Sequence, residues 1–255
     1  MASLTDKEYR EKIATLVESA HGHGKHCARS AVRHINRAWQ ITDIDREMAA
    51  FRALTAEEEA ASALFHSIKR HRYKLADQLK TRDHLQKAAV YPFFLAVEQM
   101  LAKNVPHAAD PQIEVDETGP NPRIRIKVLD HDKEGILRWA HPEPPLHFDA
   151  RIDNELVDFS EEVKDLASRR NAKSIIDYIR RRGNRRNQLL FASDKGVPNI
   201  DGNIEEFLEA QKKIIYTILT VFLMVDPYST KQNFVEQCLS AYLKMLKLLP
   251  KDMPT

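Results

Sequence analysis

Only 7 of the 255 residues are glycine, against an average usage of about 7%, and that shortage constrains the fold more than any motif. Tight turns with positive φ favour glycine, so such a chain is mostly helix with few sharp turns. The apolar spacing agrees. Tyr9, Ile13, Leu16, Val17 and Ala20 follow a Thr5–Glu8 capping box, and Gly22 with Gly24 should break that helix. Ala28, Ala31, Val32, Ile35, Ala38 and Trp39 form the next stripe, with Lys25, Arg29, Arg33 and Arg37 up the other side. Thr42 and Asp43 suit the cap of a long helix reaching toward Tyr73. A further helix beginning near Thr81 must kink or end at Pro92.

Residues 106 to 145 break the pattern, holding seven of the twelve prolines. Ile124, Ile126 and Val128 alternate there with Arg123, Arg125 and Lys127, the period of a half-exposed strand. Ile113 and Val115 precede the Gly119-Pro120-Asn121-Pro122 turn and can pair with it, and Ile136 to Ala140 adds a third strand. Helices resume after Ser160, pause at Gly183, and continue from Ile204 to Val225 after a loop over Asp194 to Gly202. The last helix is expected to be capped by Ser229 with Gln232. The expected fold is all-α, a helical bundle with a small β-meander insertion. Residues 1–105 and 151–255 form one domain, and 106–150 the proline-rich insert.

Apolar residues make up 43% and charged residues 30%, the balance of a soluble globular protein. The longest apolar stretch, Ile214 to Val225, falls short of the roughly 18 residues that span a bilayer, so it reads as a buried helix. No secretory apolar core follows the start, where Asp6, Glu8 and Glu11 stand. A cytoplasmic protein without membrane association is expected. Cys27 and Cys238 match no zinc spacing and read as free thiols in a reducing compartment. His21, His23 and His26 surround two glycines, but no carboxylate or cysteine pattern completes a ligand set, so no metal or cofactor is expected.

Net charge is +2, from 39 basic and 37 acidic residues, yet one segment is strongly basic. Arg169, Arg170, Lys173, Arg180, Arg181, Arg182, Arg185 and Arg186 are offset within it only by Asp177. Wound as a helix, Ala172, Ile175, Ile176 and Ile179 share one face, and Arg169, Arg170, Lys173, Arg180 and Arg181 take the other. Like charges four apart repel, so the stripe is costly unless a polyanion or acidic partner covers it. Guanidinium groups bind phosphate bidentately, which makes RNA or another polyanion the natural ligand. With little aromatic interleaving beyond Tyr178 and Phe191, contact is expected mainly to the backbone. A solvated face balanced by Glu161, Glu162 and Asp165 is the plainer alternative.

Two further groups have chemistry in them. Leu54, Glu57, Ala61, Leu64 and Ile68 follow three-four spacing, which puts the Glu57 carboxylate inside an apolar seam, where it needs a partner. His84 and Lys87, three apart on the next helix, are the expected partners. Such a cluster can move protons or bind an ion, or be an ordinary structural ion pair. Arg29 and His34 have the Arg-x(4–6)-His spacing of certain ribonucleases, in which arginine stabilises a pentavalent phosphate and histidine moves a proton. Five helical steps leave these two side chains about 140° apart.

The Glu57-Glu58-Glu59 run lies in an alanine-rich helix, before a helix opening with Asp83-His84-Leu85-Gln86-Lys87. Later the arginine-rich stretch leads into Asn187-Gln188-Leu189-Leu190-Phe191, then Asp194, Gly196 and Pro198 before another helix. This order resembles the AbiV-type abortive-infection proteins, helical relatives of the HEPN superfamily, over residues 45 to 95 and 175 to 225. Ala60, Ala61 and Ser62 stand where that family has Gly-Lys. The resemblance implies a helical bundle, frequent dimerisation and a role in phage defence. The expected function is therefore association with nucleic acid, RNA above all, as a homodimer joined through the long apolar helices. A non-catalytic module docking an acidic protein is the alternative. Any RNA cleavage would fall to Arg29 and His34, or to Glu57, His84 and Lys87.

Overall fold

The computed structural model describes residues 6–104, 112–119, 122–131, 135–152, 155–169, 175–191, 198, 200 and 202–247. Thr5, Pro120, Asn121, Asp132, Arg170, Ala172, Lys173, Asp194 and Gly196 lie outside the described residues. The helices are α1 (Asp6–Val17), α2 (Gly22–Gln40), α3 (Arg46–Arg70), α4 (His84–Asn104), α5 (Ser160–Arg169), α6 (Ile175–Gln188), α7 (Ile204–Val225) and α8 (Asn233–Leu246). A mostly helical bundle with a small strand insertion is the observed architecture.

The core is made where α2, α3 and α7 meet. Ala28, Ala31, Ile35 and Ala38 of α2 are buried against an α3 that is alanine-rich on the facing side, with Ala53, Ala56, Ala60 and Ala63 fully enclosed. Short side chains let the two helix axes approach closely, and α7 covers both with Ile215, Ile218, Leu219 and Phe222. Helix α7 is enclosed by the other described elements over most of its circumference.

Strands β1 (Gln112–Asp116), β2 (Arg123–His131) and β3 (Leu137–Ala140) form an antiparallel sheet in that order. Ile113 faces Ile126 and Val115 faces Ile124 across it. Ile124 and Ile126 are buried, and β2 packs on α7. Asp130 and His131 belong to β2 and not to a turn. A short hairpin, β4 (Arg151–Ile152) with β5 (Glu155–Leu156), carries strand structure past residue 150.

Several local expectations need correction. The first helix ends at Val17, ahead of the glycines; Gly22, at a φ of 59°, opens α2, and Gly24 stands in its first turn. A Cβ on Gly24 would sit 3.1 Å from the Ala63 carbonyl oxygen and 3.1 Å from Phe222 Cε2, so this glycine permits close packing. The cap of α3 is Asp45, which accepts from the Met48 N–H, whereas the Thr42 hydroxyl donates back to Ala38 and Trp39 at the end of α2. Helix α4 runs through Pro92 to Asn104. Gln232 caps α8 without a side-chain bond; its amide is fully buried, donating to the Met224 carbonyl and accepting from the Leu146 N–H.

Candidate functional site

Helix α6 runs straight through Gly183, where a pause was expected. A Cβ there would lie 2.8 Å from Leu85 Cδ2, so the missing side chain lets α6 settle low on α4. Ile175 and Ile179 anchor its inner face. Arg182 and Arg186, one turn apart, then point into the groove between α6, α3 and α4.

Three consecutive glutamates on α3 meet them differently, because successive helical side chains diverge by about 100°. Glu57 is 5% exposed. Its Oε1 accepts from Arg182 Nη2 at 2.5 Å, and the Arg182 guanidinium lies 5.8 Å from the centre of the Tyr91 ring. Burial, the largest single influence, would lower the Arg182 pKa, but Glu57 and Tyr178 together outweigh it and the group is held above its ordinary value. His84 and Lys87 are therefore not the partners of Glu57. They belong to Glu58, whose Oε2 lies 2.8 Å from His84 Nδ1, 3.1 Å from Lys87 Nζ and 3.8 Å from Arg186 Nη1. Glu59 turns the opposite way, beside the Cys27 thiol of α2.

Leu54, Glu57, Glu58, Ala88, Arg182, Gly183, Arg185, Arg186 and Gln211 line a cleft of about 390 Å³, counting solvent at its mouth. Three arginines (Arg182, Arg185, Arg186) line it against the two carboxylates, and Lys87 pairs with Glu58 behind the lining. Arg185 lies over the Phe207 ring at 4.6 Å, and no carboxylate among the described residues comes within 4.0 Å of it. Burial first, then the adjacent Arg182, pulls its pKa below the usual guanidinium value. On the cleft wall Gln211 is 3% exposed, and its Oε1 has no hydrogen-bond partner among the described residues.

The other basic residues are distributed less simply. Arg169 pairs with Asp165 at 2.9 Å, one turn back on α5, so it is not part of the α6 cluster. Arg180 is half-buried and Arg181 exposed on α6. Arg170 and Lys173 are outside the described residues. Arg29 and His34 do not converge: Arg29 Nε is 3.1 Å from Glu18 Oε1, while His34 Nδ1 faces Arg52 Nη1 at 3.4 Å. Burial, reinforced by Arg52, Arg33 and Arg37, lowers the His34 pKa.

The histidines near the start of α2 also separate. His21 is engaged with Asp226, its N–H donating to Oδ2 at 3.0 Å. His23 instead faces His66 of α3, with ring centres 4.3 Å apart, and Cys27 completes a group whose ligand atoms all lie within 4.8 Å of one another. Burial, then Glu59, pushes the Cys27 thiol up to about 11. The i,i+4 pair His23–Cys27 was present in the sequence as a signal; His66, on another helix, was not connected to it. No helix among the described residues is long and apolar enough to cross a membrane. Comparison with protein families, with curated proteins and with solved structures finds no match for this chain, so its own geometry carries the functional reading.

Proposed function

We propose that the cleft beside α6 binds the phosphate backbone of RNA. The observation that carries this reading is the surplus of positive charge: α3 supplies two carboxylates to the three arginines lining the cleft, and Arg185 is left without one among the described residues. The exposed Arg185 guanidinium, 4.6 Å over the Phe207 ring, is open to phosphate oxygens, which match its fork geometry. Arg182 and Arg186 act as fixed positive walls, since both are already oriented by glutamates. Arg180 and Arg181 extend the basic surface along α6. The AbiV-type resemblance alone supports a role in phage defence.

The test is fluorescence anisotropy with a labelled single-stranded RNA across a salt series. Engagement of about three phosphates predicts a log–log salt slope near about −2, at roughly −0.7 per phosphate. Arg185→Glu combined with Arg181→Glu should abolish most binding and flatten the slope while leaving the helical signal intact. Absence of binding at low salt overturns the proposal, as does binding that this double variant does not change. Capture of polyglutamate in place of RNA, lost in the same variant, would assign the surface to an acidic protein.

A further inference from the structure

On the far side of α3 from the arginine cleft lies a second cluster. His23 and Cys27 are four residues apart on α2 and therefore share one helical face. The antiparallel neighbour α3 brings His66 opposite them. Gly24 and Ala63 sit between, and their small size fixes the spacing: the place of a Gly24 Cβ is only 3.1 Å from the Ala63 carbonyl oxygen. All three donors thus project from rigid helices pressed together by an alanine-rich interface, which is the support a metal site needs.

We propose that His23, Cys27 and His66 form a binding site for zinc(II). One thiolate and two imidazoles are the borderline-soft donor set zinc prefers over calcium or magnesium. Tetrahedral bonds of roughly 2.0 Å to nitrogen and 2.3 Å to sulfur put the ligand atoms of this set about 3.3–3.5 Å apart. The observed group lies within 4.8 Å, and His23, exposed at the rim, closes the difference by rotating about its side-chain bonds. Zinc replaces the Cys27 thiol proton, which leaves to solvent, and the fourth position stays open at the exposed His23 side. Glu59 stands beside the sulfur. His26 is excluded: it is exposed, with its ring centre 6.4 Å from that of His23. Binding would clamp the start of α2 to the end of α3, where the bundle otherwise relies on small side chains.

The experiment uses the full chain, stripped of metal and titrated with cobalt(II) as a spectroscopic probe, then with zinc in competition with a chelator. One equivalent should bind per chain, with visible bands of tetrahedral cobalt and a near-ultraviolet thiolate-to-cobalt charge-transfer band. Cys27→Ser should remove the charge-transfer band. His23→Gln and His66→Asn should weaken zinc by roughly 100-fold or more, since even groups outside the coordination sphere change affinity about 10–100-fold. His26→Gln should change nothing. Should Cys27→Ser fail to fold, the exposed His23→Gln decides the matter, because its loss removes a ligand without touching the core. Absence of the charge-transfer band in the unmodified chain, or affinity unchanged in His23→Gln and His66→Asn, overturns the site.

Discussion

The ion pair between Glu57 and Arg182 is the joint by which α6 is held to the bundle, and a double-mutant cycle measures it. The two side chains are 6% and 18% exposed and 2.5 Å apart. Removing one member of a buried pair costs about 3–5 kcal/mol, because the remaining charge has lost both water and partner. Arg182→Met keeps the length of the stem and leaves the Glu57 carboxylate enclosed. Arg185, whose charge already acts on the same site, offsets part of that loss, so about 3 kcal/mol is expected. Glu57→Gln should cost less, about 1.5 kcal/mol, since the amide oxygen still accepts from Arg182 and Tyr91 still faces the guanidinium. With both changes neither position leaves a buried charge behind, and the double variant should lose only about 2 kcal/mol, a coupling of roughly 2–3 kcal/mol. Urea unfolding followed by far-ultraviolet circular dichroism reads these values. Single effects that add within about 0.5 kcal/mol would show that the two groups do not meet, and the docking of α6 described above would be wrong.

Gly24→Ala should destabilise the chain by about 1 kcal/mol, against the gain of about 1 kcal/mol that alanine normally brings to a helix, because overpacking costs about 1–3 kcal/mol and both neighbours here are unyielding; a raised melting temperature would refute the close approach. Folding holds the His34 pKa below its ordinary 6.5, by burial and then by three arginines, so the unfolded chain takes up the proton first. Its contribution to stability is complete above 6.5 and is lost as pH falls through the lower folded value, and His34→Gln should flatten that decline in urea midpoints measured from neutral to mildly acidic pH.

Periodicity made the helices legible, because an apolar residue every three or four positions states which face turns inward. It also identified Glu57 as lying on such a face. What it does not state is which element lies across that face. His84 and Lys87 were the nearest candidates along the chain, but Arg182 arrives from 125 residues downstream. The same blindness applies to Gly183, whose meaning lies in Leu85 on another helix, and to Cys27, whose neighbour His66 belongs to α3. Thr42, Asp43 and Asp45 are all good capping types, so residue type alone does not choose among them. Asp45 caps α3, while Thr42 finishes the preceding helix.

The basic segment shows how that difference alters a functional argument. From the sequence, the crowding of arginines on one helix called for an external polyanion to offset their repulsion. In the fold, part of that work is internal: Glu57 neutralises Arg182, Glu58 gathers Arg186 with Lys87 and His84, and Asp165 takes Arg169. The cluster is therefore assembled before any ligand arrives, and repulsion alone no longer argues for RNA. What does argue for it is the remainder. Charges already oriented by partners lose little freedom on binding, so a surplus held in a fixed groove attracts phosphate at lower entropic cost than the same arginines on a loose helix. Glu58 sets how large that surplus is, and Glu58→Gln should raise RNA affinity while loosening Lys87; a fall in affinity at unchanged fold would mean that positioning by Glu58 outweighs the charge it removes.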